Sequence, residues 1–315
     1  MRAVRFHDYG PAATLTVDEV PDPAPGPGEA LIKVAAAGVN FADLQLRSGA
    51  LRAWMPDLPL PFTPGHEVAG TVTAVGPDTD ASLVGREVLA VSPAGGGYAE
   101  LLAFPAEGLI PAPDLDAHKA LAALTQGATA VGILDKAALS PGETVLVTAA
   151  TGGVGSALVQ LAAHAGAEVV ALVEDDRKAK IALDLGARRT ITADRLEEAG
   201  PVQAVLESIG GPFTRAALDL LEPTTGRMVV YGSITGAPHE FDPQTVYMRA
   251  LSVLGFASAL LPPERLVPLR DQALALAAEG VLDPLIGSVR PLAEAAAVHQ
   301  AIEDRASVGK HILTP

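Results

Sequence analysis

A glycine-rich turn between two apolar runs is the first feature of this sequence that could carry chemistry. The turn follows the run 144–148, and a second run, 169–173, ends at the acid Glu174. Glycines let the backbone turn sharply and approach a diphosphate, whose charge the amide groups at the start of the next helix stabilise. An acid about 20 residues further on can accept hydrogen bonds from a ribose. The pattern predicts a strand–turn–helix–strand unit that binds a dinucleotide through residues Gly152, Gly153, Val154, Gly155 and Glu174.

Regularly spaced strands and helices must position this turn. Before about residue 115, short β runs broken by glycine and proline predict a small β-barrel or sandwich. Strands and helices then alternate to about residue 255, which is typical of a doubly wound parallel sheet. The candidate strands of this sheet are 144–148, 169–173, 203–207, 227–231 and 251–255.

Composition narrows the class of protein. A length of 315 residues predicts two domains, and the net charge of −15 disfavours nucleic acid and acidic membrane surfaces as partners. The chain has no cysteine, which excludes disulfides, thiolate nucleophiles and Cys-based zinc sites. No signal-peptide core is recognisable, and polar residues interrupt the apolar run 145–173. We therefore expect a cytoplasmic protein that does not bind membranes.

Eight segments together resemble the zinc-independent quinone oxidoreductases of the medium-chain dehydrogenase/reductase superfamily. The resemblance implies an α/β fold in which a Rossmann doubly wound parallel sheet is inserted in a GroES-like β-rich catalytic domain. The implied divisions are 1–116 and 257–315 for the catalytic domain and 117–256 for the Rossmann domain. The resemblance also implies hydride transfer from NADPH to a quinone or an α,β-unsaturated carbonyl compound. The matching segments are 36–49, 64–76, 126–130, 141–155, 184–187, 207–211, 226–236 and 307–315.

The zinc-dependent branch of the superfamily is an alternative to this resemblance. The segment GHE at 65–67 resembles its metal-binding loop, but Asn40 stands where those enzymes place a cysteine. A catalytic zinc needs three protein ligands, and no cysteine is available to complete the set. We therefore expect no metal, with Gly65 and Glu67 shaping a turn and His66 in a variable position.

Several further site residues follow from the resemblance. It implies that Asn40 and Thr129 flank the nicotinamide, where they could hold its carboxamide and a substrate oxygen. Gln45 replaces the tyrosine of many family members, and an amide cannot titrate near neutral pH. Arg47 could orient an enolate oxygen, although a structural role is the simpler interpretation. The remaining residues implied to bind the cofactor are Ser208, Tyr231, Ser233 and Lys310.

The second strand of the dinucleotide unit bears on the choice of cofactor. Glu174 and Asp175 stand where NADPH-dependent members usually have Gly or Ser followed by Ser or Thr, and Ala193 replaces a tyrosine. Two carboxylates would repel a 2′-phosphate, whereas Glu174 could accept hydrogen bonds from an unphosphorylated ribose. Lys178 is retained, but its spacing also allows an ion pair with Glu174. The residues therefore favour NADH within an NAD(P)H-binding family whose usual cofactor is NADPH.

The substrate is left open by the sequence. Apolar residues in 48–62 and 255–266 are suited to a small lipophilic carbonyl compound such as a quinone, an enone or an enoyl thioester. Two other functions stay open, namely an alcohol dehydrogenase or polyketide-type tailoring enzyme and a non-catalytic dinucleotide-binding protein. The apolar run 251–256 predicts a homodimer formed by sheet-edge pairing.

Overall fold

The computed structural model describes all 315 residues and contains two compact units. The first unit comprises Met1–Ala122 and Ile286–Pro315, and the second comprises Ala123–Leu285. The second unit thus continues beyond residue 256, where the sequence places its end. The physical reason is the packing of the long helix that follows, because Ala273 and Leu282 lie against Gly127 inside this unit.

The first unit contains two groups of paired strands. A seven-stranded sheet has the order β14-β15-β3-β4-β5-β7, with β6 also paired to β3, and β1 and β2 form a separate antiparallel pair. The strands are β1 (Arg2–Phe6), β2 (Leu15–Glu19), β3 (Glu29–Val39), β4 (Glu67–Val75), β5 (Glu87–Val91), β6 (Leu101–Pro105), β7 (Ile110–Pro111), β14 (Ile286–Pro291) and β15 (Lys310–Thr314). The helices of this unit are α1 (Phe41–Ser48), α2 (Ala117–Ala122) and α9 (Ala295–Glu303).

Pairing of β15 with β3 brings the end of the chain into the first unit. The two strands are antiparallel, with His311 opposite Val39 and Leu313 opposite Ala37. Helix α1 begins directly after β3, so residues at the end of β3, the start of α1 and the start of β15 lie close together. The buried side chains of Phe6, Ile32 and Leu44 belong to the apolar core of the first unit.

The second unit is built on a six-stranded parallel sheet of order β10-β9-β8-β11-β12-β13. This confirms the doubly wound sheet, and five of its strands lie within one residue of the predicted ranges. Val145, Leu146 and Val147 are wholly buried because helices cover both sheet faces, which explains the continuous apolar runs. The short β10 has no counterpart among the predicted strands. The strands are β8 (Thr144–Val147), β9 (Glu168–Leu172), β10 (Arg189–Ile191), β11 (Ala204–Glu207), β12 (Arg227–Val230) and β13 (Ser252–Gly255).

Helices connect these strands and extend the second unit to its end. A single π-helical turn, Ala123–Gly127, leads into the helix α3. The helices are α3 (Ala128–Ala137), α4 (Gly153–His164), α5 (Asp176–Asp184), α6 (Phe213–Asp219), α7 (Pro243–Met248) and α8 (Pro263–Ala278). No helix of the structure has the length and apolar character needed to cross a bilayer.

Candidate active site

The glycine-rich turn lies between β8 and α4, at the carboxyl end of the parallel sheet. The first bond within α4 runs from the amide of Ser156 to the carbonyl of Gly152, so the amides of Gly153–Gly155 precede the helical ladder. No side chain caps this end of the helix. A Cβ on Gly155 would lie 2.1 Å from the carbonyl oxygen of Ala149, so only glycine allows this close backbone approach. The turn fits a diphosphate group.

Two acids follow β9, and the structure gives them different partners. The carboxylate of Asp175 accepts a hydrogen bond of 2.8 Å from the amide of Lys178 and so caps α5. The carboxylate of Glu174 is 3.0 Å from the ammonium of Lys178, which confirms that this pair can form. Glu174 remains 47% exposed whereas the Lys178 side chain is 5% exposed. Glu174 therefore neutralises the ammonium of Lys178 while its own carboxylate stays accessible to a ligand.

Polar side chains gather where β8, β11 and β12 end. The hydroxyls of Ser208 and Thr148 are 3.1 Å apart, and the hydroxyl of Tyr231 lies 3.4 Å from the carbonyl of Thr148. Burial raises the pKa of Tyr231 to about 12, so its hydroxyl stays protonated at neutral pH. The hydroxyl of Ser233 donates to the carbonyl of Ala237 at 2.7 Å. The predicted residues Ser208, Tyr231 and Ser233 are thus held at the carboxyl end of the sheet.

Glu207 and His239 fix the loops after β11 and β12. One carboxylate oxygen of the wholly buried Glu207 accepts the amides of Ile209 and Gly210, at 2.7 and 3.0 Å. Its other oxygen lies 2.9 Å from Nδ1 of His239 without a hydrogen bond. Nδ1 is hydrogen-bonded instead to the hydroxyl of Thr214 at 2.8 Å, and Nε2 donates to the carbonyl of Gly232 at 2.9 Å. Glu207 lies in a segment that supports the family resemblance, but no sequence signal connects it to His239. This pair is a positioning element that the sequence did not reveal.

The π-helical turn ends just before Thr129. The Thr129 hydroxyl is 2.7 Å from the carbonyl of Thr125 and 3.0 Å from the hydroxyl of Ser258. The wide turn displaces residues from regular helical spacing, and such turns are frequent at functional sites. The contact with Ser258 joins Thr129 to the segment after β13.

Asn40 belongs to a buried charged cluster in the first unit. The ammonium of Lys310 forms an ion pair with Glu67 and is 3.0 Å from Oδ1 of Asn40, while Nδ2 of Asn40 donates to Glu67 at 3.1 Å. A Cβ on Gly38 would lie 2.3 Å from the Glu67 carboxylate and 2.7 Å from Cε of Lys310. Glycine at this position therefore makes room for the pair. The structure brings Asn40 and Lys310 together, with the Lys310 ammonium turned into the cluster.

Asp43 connects Asn40 to His66. One carboxylate oxygen accepts the backbone amide of Asn40 at 2.8 Å, and the other accepts the amide of Gly65 at 3.0 Å and lies 2.6 Å from Nδ1 of His66. Burial by itself raises the pKa of Asp43, but the hydrogen bond and charge of His66 and the amide of Asn40 outweigh it and lower the pKa. Asp43 is therefore an ionised carboxylate that orients the His66 ring.

Tyr98 and His299 contact this carboxylate from the interior. The hydroxyl of Tyr98 is 3.4 Å from Asp43 and 3.1 Å from Nε2 of His299, and both rings are wholly buried. Burial, followed by the charge of Asp43, raises the pKa of Tyr98 well above 10. Burial lowers the pKa of His299 to about 4, and the charge of Arg47 acts in the same direction. Both groups are neutral near pH 7.

Arg47 has a structural role. Its buried guanidinium forms an ion pair with Glu303 and donates to the carbonyl of Gly10 at 2.5 Å. These contacts tie α1 to α9 and to the loop after β1, and they support the structural interpretation over an enolate contact.

The sequence identified some members of these groups and missed others. Asp43 stands three residues after Asn40, the spacing of a helix-capping pair, and this signal could have identified it. Tyr98 and His299 carry no such signal because they are far from α1 in sequence. His66, expected in a variable turn position, instead contacts a buried carboxylate.

Comparison with known proteins identifies the family. The family described as alcohol dehydrogenase GroES-like domain matches residues 26–114, and that described as zinc-binding dehydrogenase matches 153–269. A 2-haloacrylate reductase from Burkholderia sp is 31% identical, covering 99% of this chain and 98% of that protein. Quinone oxidoreductase from Sus scrofa is also 31% identical, covering 99% and 97%. This chain belongs to the zinc-independent quinone oxidoreductase family of the medium-chain dehydrogenase/reductase superfamily.

Solved structures agree with this assignment. A mycobacterial protein solved in complex with NADPH is 33% identical and superposes with a TM-score of 0.88, covering 100% of both chains. Family membership confirms the GroES-like and Rossmann folds expected from the sequence. No group of three or more His, Cys, Asp or Glu side chains in the structure is arranged to hold a metal ion.

Proposed function

We propose that this member of the family uses NAD(P)H to reduce a quinone or an α,β-unsaturated carbonyl compound without zinc. The observation that carries the proposal is the backbone turn at Ala149–Gly155, where Gly155 allows α4 to pack closely against the turn and the amides of Gly153–Gly155 precede the helical ladder. Similarity over nearly the full length to a quinone oxidoreductase and to a 2-haloacrylate reductase supports both acceptor classes. The relative solved with NADPH supports the cofactor class.

Residues of the second unit would hold the dinucleotide. The amides of Gly153, Val154 and Gly155 would donate hydrogen bonds to the diphosphate. Ser208, Tyr231 and Ser233 would contact the rest of the dinucleotide at the carboxyl end of the sheet. When bound, the nicotinamide supplies the hydride. Thr129 and Asn40 are proposed to orient the carboxamide and the acceptor oxygen, each held by the hydrogen bonds described above.

The ribose end favours NADH in this proposal. Lys178, the cation that a 2′-phosphate would need, already pairs with Glu174. A 2′-phosphate would have to displace this carboxylate, whereas ribose hydroxyls could donate to its exposed oxygen. The lipophilic carbonyl substrate, the homodimer formed through β13 and the cytoplasmic location stay predictions. Consistent with edge pairing, β13 is the last strand of its sheet.

Steady-state oxidation of NADH and NADPH with a panel of quinones and enones tests the function. We expect turnover with at least one compound of these classes and no loss of activity after treatment with a metal chelator. Alcohol-dependent reduction of NAD(P)⁺ with no reductase activity would instead favour an alcohol dehydrogenase. Binding of the cofactor without turnover of any acceptor would contradict the proposal.

A further inference from the structure

Reduction of an enone requires a proton as well as a hydride. Hydride addition at the β-carbon leaves an enolate, which must be protonated to complete the reaction. Gln45 cannot donate a proton at neutral pH. Tyr98 and His299 are wholly buried, and Lys310 is paired with Glu67 in the interior. Of the titratable side chains around Asn40, His66 is the one that stays partly exposed, at 20%.

We propose that His66, oriented by Asp43, donates the proton that completes enone reduction. The inference rests on the proposed function, in which Asn40 helps to orient the carboxamide or the acceptor oxygen. It assigns a chemical role to a residue that the sequence pattern places in a variable turn position.

The geometry of the His66 ring supports this role. Nδ1 lies 2.6 Å from the ionised carboxylate of Asp43, so this nitrogen carries a proton and the tautomer is fixed. No hydrogen bond in the structure engages Nε2, and the side chain is 20% exposed. An imidazolium in this arrangement can release the Nε2 proton to a substrate and regain one from solvent.

The same carboxylate places His66 beside Asn40. Asp43 accepts the backbone amide of Asn40 through one oxygen and contacts His66 through the other. The amide of Gly65 also donates to Asp43, which fixes the turn that carries the ring. The donor and the proposed cofactor-orienting residue are therefore held by one buried group.

Charged neighbours keep the imidazolium available near neutral pH. Burial lowers the pKa of His66, but the hydrogen bond and charge of Asp43, followed by the charge of Glu67, outweigh this effect and raise it. Lys310 opposes Glu67 from β15, and Tyr98 and His299 face Asp43 as neutral groups. Arg47 on α1 is directed toward Glu303.

The step balances in atoms and electrons. The hydride that bound NAD(P)H would supply, leaving NAD(P)⁺, would form the new C–H bond at the β-carbon while the C=C π bond breaks. The Nε2–H bond of His66 then breaks, and its proton goes to the enolate. The neutral imidazole is reprotonated by water at its exposed edge.

The variant His66→Gln tests the proposal by comparing two acceptor classes. We expect kcat for an enone to fall about 10²–10⁴-fold, the usual contribution of a general acid. Quinone reduction should fall much less, because the aromatic hydroquinone anion is stable enough to leave before protonation. The decline of the enone rate above the pKa of His66 should disappear in the variant. Added imidazole should restore part of the enone rate in His66→Ala.

The matched control is His7→Gln. His7 also contacts an aspartate, with Nε2 2.8 Å from Asp18, but its side chain is 53% exposed and belongs to the β1–β2 region. This variant should keep the native rates and pH profile for both acceptors. Reduced-cofactor affinity, followed by fluorescence, should be unchanged in His66→Gln and in His7→Gln.

A readout on the protein without cofactor completes the test. Histidine NMR spectra, assigned by the loss of one signal in His66→Gln, should show His66 protonated at Nδ1 with a pKa above 6.5, lowered in Asp43→Asn. A native enone rate and pH profile in His66→Gln, or an Nδ1 atom of His66 without a proton, would overturn the inference while leaving the proposed function intact. If the native chain oxidised NAD(P)H with none of the acceptors, both the proposed function and the inference about His66 would be contradicted.

Discussion

Lys310 and Glu67 form an ion pair in which both side chains are almost wholly shielded from solvent, at 1% and 0% exposure. The two residues start strands β15 and β4, which lie on either side of β3 in the sheet, and Gly38 of β3 leaves the space they occupy. Asn40 bridges the pair through both atoms of its side-chain amide. The position of a proposed cofactor-orienting residue thus depends on a buried charge pair.

Breaking this pair should strongly destabilise the chain. Lys310→Met leaves the Glu67 carboxylate buried without its cation, and we expect the free energy of unfolding to fall by about 3–5 kcal/mol. The double variant Lys310→Met/Glu67→Gln removes both charges and should recover much of the loss. Urea unfolding followed by circular dichroism measures both effects. Equal stability of the single and double variants would show that the buried charge is not the cause.

Replacing Glu174 should change the preference between the two reduced cofactors. In Glu174→Ser the ammonium of Lys178 becomes available to a 2′-phosphate, so the affinity for NADPH should rise about tenfold, or ~1.4 kcal/mol. The affinity for NADH should fall. Fluorescence titration with each cofactor gives the dissociation constants, and Asp184→Asn, at the other end of α5, is the control for net charge. Tighter binding of NADPH than of NADH by the native chain would reverse the proposed preference.

Gly155→Ala should weaken binding of both reduced cofactors. The added Cβ would lie 2.1 Å from the Ala149 carbonyl, so the backbone of the turn must move away from the position that fits a diphosphate. We expect a loss of at least about tenfold in affinity, measured by calorimetry. Gly255→Ala is the control, because a Cβ there has no atom within 4 Å. Native affinity in Gly155→Ala would argue against the turn as the diphosphate site.

His299 should contribute to loss of stability in acid. Burial lowers its pKa from 6.5 to about 4, so the unfolded chain binds a proton more readily than the folded chain. The contribution of His299 to the free energy of unfolding is fully present above pH 6.5. It decreases as the pH falls to about 4, by at most about 3 kcal/mol. His311, whose pKa burial also lowers to about 4, acts in the same direction.

The variant His299→Phe isolates this contribution. It should show a smaller decrease in unfolding free energy between pH 7 and pH 4.5 than the native chain, measured by urea denaturation at each pH. At pH 7 the free energy of unfolding of the variant should differ from that of the native chain by less than this pH-dependent contribution, because the variant loses a single hydrogen bond to Tyr98. An unchanged pH dependence would show that His299 is not the buried base responsible.

The parallel sheet, its glycine-rich turn and a dinucleotide ligand could all be predicted from local sequence patterns. Strands such as 144–148 are buried on both faces and therefore read as continuous apolar runs, and Gly152–Gly155 form a contiguous segment whose geometry depends on local backbone freedom. The Glu174–Lys178 pair was also within reach of sequence reasoning, because the two residues are four apart and lie together at the start of α5.

The partners of the charged residues could not be predicted in this way, because they are brought together by the folded chain. Asp43, His66, Tyr98 and His299 come from separate elements, and their contacts depend on strand order and helix packing rather than on spacing in the chain. Burial likewise depends on the folded neighbours, and it changes the pKa values of side chains that sequence treats as ordinary. Local patterns therefore predicted a cofactor-binding turn, whereas long-range packing determined the surroundings of His66, the proposed proton donor.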